Sequence, residues 1–130
     1  MSYIPKYITK RIFPTDCVKK VAGGVEITMV NVMSPIKTKD LPADATKFIQ
    51  AKIDGKPVPE KIMSGLVITS AEGKKYDAKN LKELSNQVLP VGGKWKFFIP
   101  YTDVKVGEEH ELAIDVKETK FQFTFSRVVG

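Results

Sequence analysis

The chain has 130 residues with a net charge of +6, and 28% of its residues are charged. That length suits one domain, residues 1–130, with enough buried surface for a core that needs no staples. Cys17 is the only cysteine, which excludes an internal disulfide and points to a reducing compartment. Lys6, Lys10 and Arg11 interrupt the first dozen residues, and no apolar run reaches signal-peptide or membrane-spanning length. The expectation is a cytoplasmic protein with no membrane association.

Tyr3 to Phe13 reads as a first strand, an edge strand because Pro5 lacks a ladder donor and Lys6 and Lys10 share parity with Ile4, Ile8 and Ile12. The charge is concentrated here. Residues 1–20 carry Lys6, Lys10, Arg11, Lys19 and Lys20 against Asp16 alone. Ala22, Gly23 and Gly24 then turn the chain into a strand over Val25 to Val32. Val25, Ile27 and Met29 share one face of it while Val30 and Val32 fall on the other, a switch that a bulge or burial on both faces would explain. The stretch from Ser34 to Thr46, with Pro35 and Pro42, reads as a long connection.

Ile49, Ala51 and Ile53 are in phase on the next strand, which closes at Asp54-Gly55, a pair suited to the positive φ angles of a tight hairpin. Lys56 to Val58 is its short partner. Pro59 to Ser64 ahead of Gly65 makes one helical turn, and Leu66 to Ser70 pairs with Lys74 to Tyr76 around Glu72-Gly73. Asn80 with Glu83 resembles a capping box, and Leu81, Leu84 and Val88 share a helical face before Pro90, so one short helix is expected near 80–88. The last third alternates most cleanly. Trp95, Phe97 and Ile99 share a parity, as do His110, Leu112, Ile114 and Val116, and as do Phe121, Phe123 and Phe125, with polar residues between them.

These strands and their turn signals predict a mainly β, antiparallel fold. The segment Val104 to Val116, with its loop glycine Gly107, and the hairpin segment Ile53 to Val58 resemble segments common in immunoglobulin-like and fibronectin-like modules. The cysteine and tryptophan spacing of antibody domains is absent. The resemblance implies a β-sandwich serving adhesion, docking or assembly, and it implies no catalytic residue.

Chemistry-bearing motifs are missing. Neither GxxxxGK[ST] nor GxGxxG occurs, so no phosphate loop and no nucleotide cofactor is expected. One cysteine and one histidine, Cys17 and His110, do not make a zinc site, and the acidic group Glu108, Glu109 and Glu111 lacks the loop frame of a calcium site. Cys17 reads as a small buried hydrophobe rather than a catalytic thiol. His110, flanked by two glutamates, reads as a rim residue with its polar tip in water; its functional alternative is a pH-sensitive contact. The expectation is a non-enzyme without metal or cofactor.

Two surfaces remain. Phe98 is left with Lys94 and Lys96 opposite Trp95 and Phe97, and with Val30 and Val32 it forms a candidate interface for a protein partner or a second copy. Tyr3, Lys6, Tyr7, Lys10 and Arg11 form a candidate anion or nucleic-acid contact. A binding or structural module acting through an edge strand or an apolar patch is the first reading. A basic nucleic-acid-associated protein is the second, set lower because lysines that share parity with isoleucines are not arrayed on one wet face.

Overall fold

The computed structural model describes residues 6–32, 36–37, 49–77, 88–89, 91–116 and 121–130. The architecture is mainly β, with two antiparallel sheets. The first holds β1 (Val18–Val21), β2 (Gly24–Val30), β9 (Lys94–Ile99), β6 (Val67–Thr69) and β7 (Lys75–Tyr76), in that spatial order. The second runs β11 (Phe121–Val128), β10 (Glu109–Val116), β4 (Ile49–Ile53) and β5 (Lys56–Pro57). A two-stranded pair, β3 (Ile36–Lys37) with β8 (Val88–Leu89), stands apart from them.

The parity read in the sequence governs which residues are inside. Val25, Ile27, Trp95, Phe97, Ile99 and Ile68 from the first sheet join Ala51, Ile53, Leu112, Ile114, Phe123 and Phe125 from the second in one hydrophobic cluster. Each alternate side chain therefore leaves water on folding, and burial of this kind is the main driving term for a chain of this size. The hairpins close as their turn residues require. Asp54 and Gly55 take φ of 53° and 79°, the two left-handed positions of a type I′ turn, and Lys52 and Ile53 pair with Pro57 and Lys56. Gly24 is needed for a different reason: a Cβ there would collide with the Ile99 carbonyl across the ladder. The helical turn after Pro59 is α2 (Glu60–Met63).

Three expectations need correction. The first strand candidate is a helix, α1 (Lys6–Ile12); Tyr3 and Pro5 lie outside the described residues. A repeat of four residues is even, so it mimics strand parity, and it is also one helical turn; Ile8 and Ile12 satisfy both patterns. The helix places Thr9, Ile12 and Phe13 inside, closes with the Phe13 N–H on the Thr9 carbonyl, and is halted by Pro14, which has no N–H to continue it. The helix expected near 80–88 falls mostly outside the described residues, but its last residue, Val88, is in β8 and pairs with Lys37. The long connection after Ser34 accordingly contains a short strand, β3.

The parity switch after Met29 involves no bulge, for the register runs unbroken from Val25 opposite Ile99 to Val30 opposite Lys94. Val30 is half-buried on the outer face, and Val32 lies past the strand's end, packed against the core.

Candidate binding edge and flanking groove

A β-sheet edge is a row of unpaired N–H and C=O groups unless something occupies it. The edge of β1 is occupied. Gly130 donates to the Val18 carbonyl and accepts from the Lys20 N–H, each at 2.9 Å, the bonding pattern of a residue running parallel beside Lys19. The end of the chain thus leaves the second sheet and seals the first. The edges β5 and β7 are two residues long, and β5 contains Pro57. The eight residues of β11 form the one long edge with no second strand partner among the described residues.

The backbone direction of β11 follows from the register. Glu111 turns both backbone groups towards the β4 side: its N–H donates to Asp54 Oδ1 at 2.9 Å and its carbonyl accepts from the Asp54 N–H at 2.8 Å. Leu112 must then face β11, and its partner Phe125 faces back. Thr124 and Ser126 therefore direct their backbone groups away from the sheet. Beside them runs an open groove of about 310 Å³, lined by Thr9 and Lys10 of α1, Glu111 of β10, and Thr124, Ser126 and Arg127 of β11.

Arg127 fixes the geometry of that groove. Its Nε donates to the carbonyls of Phe13 and Pro14 at 3.1 and 3.2 Å, Nη2 to the Phe13 carbonyl at 2.6 Å, and Nη1 to the Ser126 carbonyl at 2.6 Å. Its guanidinium carbon sits 5.0 Å from the centre of the Phe125 ring, a cation–π contact. Beneath it, Phe13 stacks on Phe125 at 4.4 Å and meets Phe123 edge-on at 5.1 Å. One arginine thus joins the C-terminal end of α1 to β11 through main-chain acceptors, and this clasp was invisible to sequence parity because it depends on the helix.

The structure distributes the expected site residues unevenly. On α1, Tyr7, Lys10 and Arg11 fall at spacing i, i+3, i+4 on one exposed face, with Tyr7 70% exposed. Lys6 opens the same helix and Tyr3 lies outside the described residues. A strand would divide these cations between two faces, whereas the helix gathers Lys10 and Arg11 on one wet face. Phe98 and Val30 do share the outer face of the first sheet, but they stand four residues apart along the β2–β9 ladder, about 13 Å. Val32 is not with them. The large apolar side chains most exposed among the described residues are instead Tyr7, Val91, Val106 and Val128.

His110 is not at a wet rim. Its side chain is 11% exposed, and Nδ1 lies 2.6 Å from Asp54 Oδ2, with Glu108 Oε2 at 3.9 Å from Nε2. The Lys105 N–H points at Nε2 from 3.5 Å. The hydrogen bond from His110, then that from the Glu111 N–H, holds the Asp54 carboxyl below its ordinary range. The ring ties the β4–β5 turn to the 105–108 loop. No sequence signal placed Asp54 against His110, since the pair forms only when β4 docks on β10. Among the described residues no group of three His, Cys, Asp or Glu side chains is placed to hold a metal ion. Cys17 is buried, and burial pushes its thiol up to about 11, which leaves it protonated and unreactive at neutral pH. Among the same residues no helix is long and apolar enough to cross a membrane.

A scan of the sequence against protein-family models finds no match, and a comparison with curated proteins finds no significant relative.

Proposed function

We propose that this chain is an immunoglobulin-like β-sandwich module, without catalytic activity of its own, that binds an extended segment of a partner protein along β11. Strand order supports the fold reading. Taking β1, β2, β4, β5, β6, β9, β10 and β11 as A, B, C, C′, D, E, F and G turns the sheets into A-B-E-D and G-F-C-C′, the order of immunoglobulin sandwiches, with β7 as an addition beyond D. The observation that carries the binding reading is the outward backbone of Thr124, with the Ser126 N–H, beside the groove at α1; the Ser126 carbonyl is already taken by Arg127. An added strand gains main-chain hydrogen bonds from such an edge and specificity from its alternate side chains. Lys10 and Arg127 against the single Glu111 leave the groove lining net positive, which favours an acidic segment.

The test is hydrogen exchange at single residues with peptides selected from a random linear library. Peptide binding slows exchange of the Thr124 and Ser126 amides, while Phe123 and Phe125, already in the ladder, change little. Thr124→Pro deletes one outward donor without touching the β10 ladder and weakens binding at least tenfold. Protection of Thr124 and Ser126 that rises with protein concentration alone identifies a second copy as the occupant. Selected peptides that bind without altering either amide overturn the edge reading.

A further inference from the structure

The outer face of the first sheet collects lysines that are scattered in sequence. Lys19 stands beside Glu26, Glu26 beside Phe98, and Phe98 beside Val67, forming one row across four strands. The next row is Thr28, Lys96, Thr69 and Lys75, and the third pairs Val30 with Lys94. Lys19, Lys75, Lys94 and Lys96 are all exposed, and Glu26 is the one acidic residue in these rows, drawn to Lys96 at 4.0 Å. Between the cations lie small hydroxyl side chains, Thr28 and Thr69, and the half-buried ring of Phe98, which lies close to the turn at Gly23. The face is therefore cationic and furnished with a ring.

We propose that this face binds single-stranded nucleic acid, laid across β2, β9 and β6. Charge complementarity names a polyanion. Lys94 and Lys96 recur along β9 every second residue, about 6.6 Å apart, and cations repeated at a fixed stride suit a backbone that carries one charge per nucleotide. Phe98 adds an aromatic ring beside the cations, the pairing on which single-strand binders stack a base. The site is separate from the β11 edge, which belongs to the other sheet, and stands or falls independently of the reading above. It also relocates the nucleic-acid expectation: the sequence attached it to the first dozen residues, whereas the register gathers lysines from β1, β7 and β9.

The experiment is fluorescence anisotropy with a labelled oligothymidine of about 15 nucleotides, titrated over a range of salt concentrations. The expected result is binding at low salt that weakens steeply as salt rises, with the logarithmic slope reduced by about two when Lys19, Lys94 and Lys96 are replaced together by Gln, since each single-strand phosphate contact contributes about 0.7. Phe98→Ala lowers affinity roughly fivefold, the lower end expected for loss of one stacked base. Phe98→Leu, which preserves apolar cover of the sheet, lowers it as well, so loss of stacking is separated from unfolding. Thr124→Pro leaves oligonucleotide affinity unchanged. Absence of binding at low salt overturns the proposal, and so does binding that the triple replacement leaves untouched, which would move the contact to the face of α1. Equal affinity for a polyanion without bases, such as dextran sulfate, with no effect of either Phe98 variant, overturns it in favour of a general anion surface.

Discussion

Replacing Arg127 with Met keeps an unbranched side chain of similar reach over Phe125 but removes every donor of the clasp. The carbonyls of Phe13 and Pro14 then lose a charged partner, and the stacked position of the guanidinium on Phe125 is lost with it. Hydrogen bonds to a charged group contribute about 1.5–3 kcal/mol each. The site is only part-buried, so water recovers some of that loss, and the Nε and Nη2 bonds act as one unit rather than three. The expected loss is about 2–3 kcal/mol. Urea unfolding measures it as a lower midpoint at unchanged slope, because the area exposed on unfolding stays the same. Arg127→Lys distinguishes charge from geometry: a single ammonium cannot span both carbonyls, so it restores less than half of the loss. Amide exchange adds a local readout, with Ile12 and Phe13 becoming faster in Arg127→Met than residues of β9. A variant within 0.5 kcal/mol of wild type, or full rescue by Lys, refutes the clasp as the element that holds α1 on β11.

Trp95 is 5% exposed and meets Phe97 edge-on at 6.2 Å, so its emission is blue-shifted and protected from acrylamide, and Trp95→Ala costs about 3–5 kcal/mol. Emission typical of a wet indole removes the assignment of the first sheet's inner face. The lowered carboxyl of Asp54 makes folding acid-sensitive with a definite sign. A carboxylate whose folded value lies below its unfolded one adds stability that is present above the unfolded value, near pH 4, and disappears as pH falls through the folded value. Denaturation of Asp54→Asn against wild type therefore shows a difference at pH 7 that shrinks towards zero as acid protonates the folded carboxylate; a difference that persists or grows in acid contradicts the His110 and Glu111 contacts as its source.

Much of the inner surface was legible because alternation is a local signal. Trp95, Phe97 and Ile99, or Leu112 and Ile114, announce one dry face whatever lies opposite, and Asp54-Gly55 and Glu72-Gly73 announce turns by the φ angles they tolerate. The helix at Lys6–Ile12 was illegible for a specific reason, that spacing by four serves either period, and Pro5 is as acceptable at the start of a helix as on an edge strand. The misreading propagated: with α1 taken as a strand, its cations looked divided between two faces, and the carbonyls that Arg127 grips had no reason to be near it. Parity put Lys94, Lys96 and Phe98 on one face, but the Asp54–His110 pair and the placing of Lys19 and Lys75 on that same face were out of reach for another reason. They are products of register between strands tens of residues apart, which no periodicity within one segment encodes.

The treatment of the four sheet edges ties these observations to binding. Three are closed by means that cost the chain little: Gly130 reaches across to β1, and β5 and β7 stop after two residues, one of them with a proline in place. Edges blunted in these ways are protected from pairing with other chains. On β11 the same protection extends only part of the way. Val129 closes on Glu108, Arg127 covers the Ser126 carbonyl, and α1 is held alongside, yet at Thr124 and Ser126 a groove separates helix from strand. The clasp packs the end of α1 against β11 and leaves the groove open beside it, with Lys10 on one wall and Arg127 at the end. The clasp that stabilises the fold therefore also sets the width of the opening, and a variant that frees α1 is expected to alter peptide affinity as well as stability.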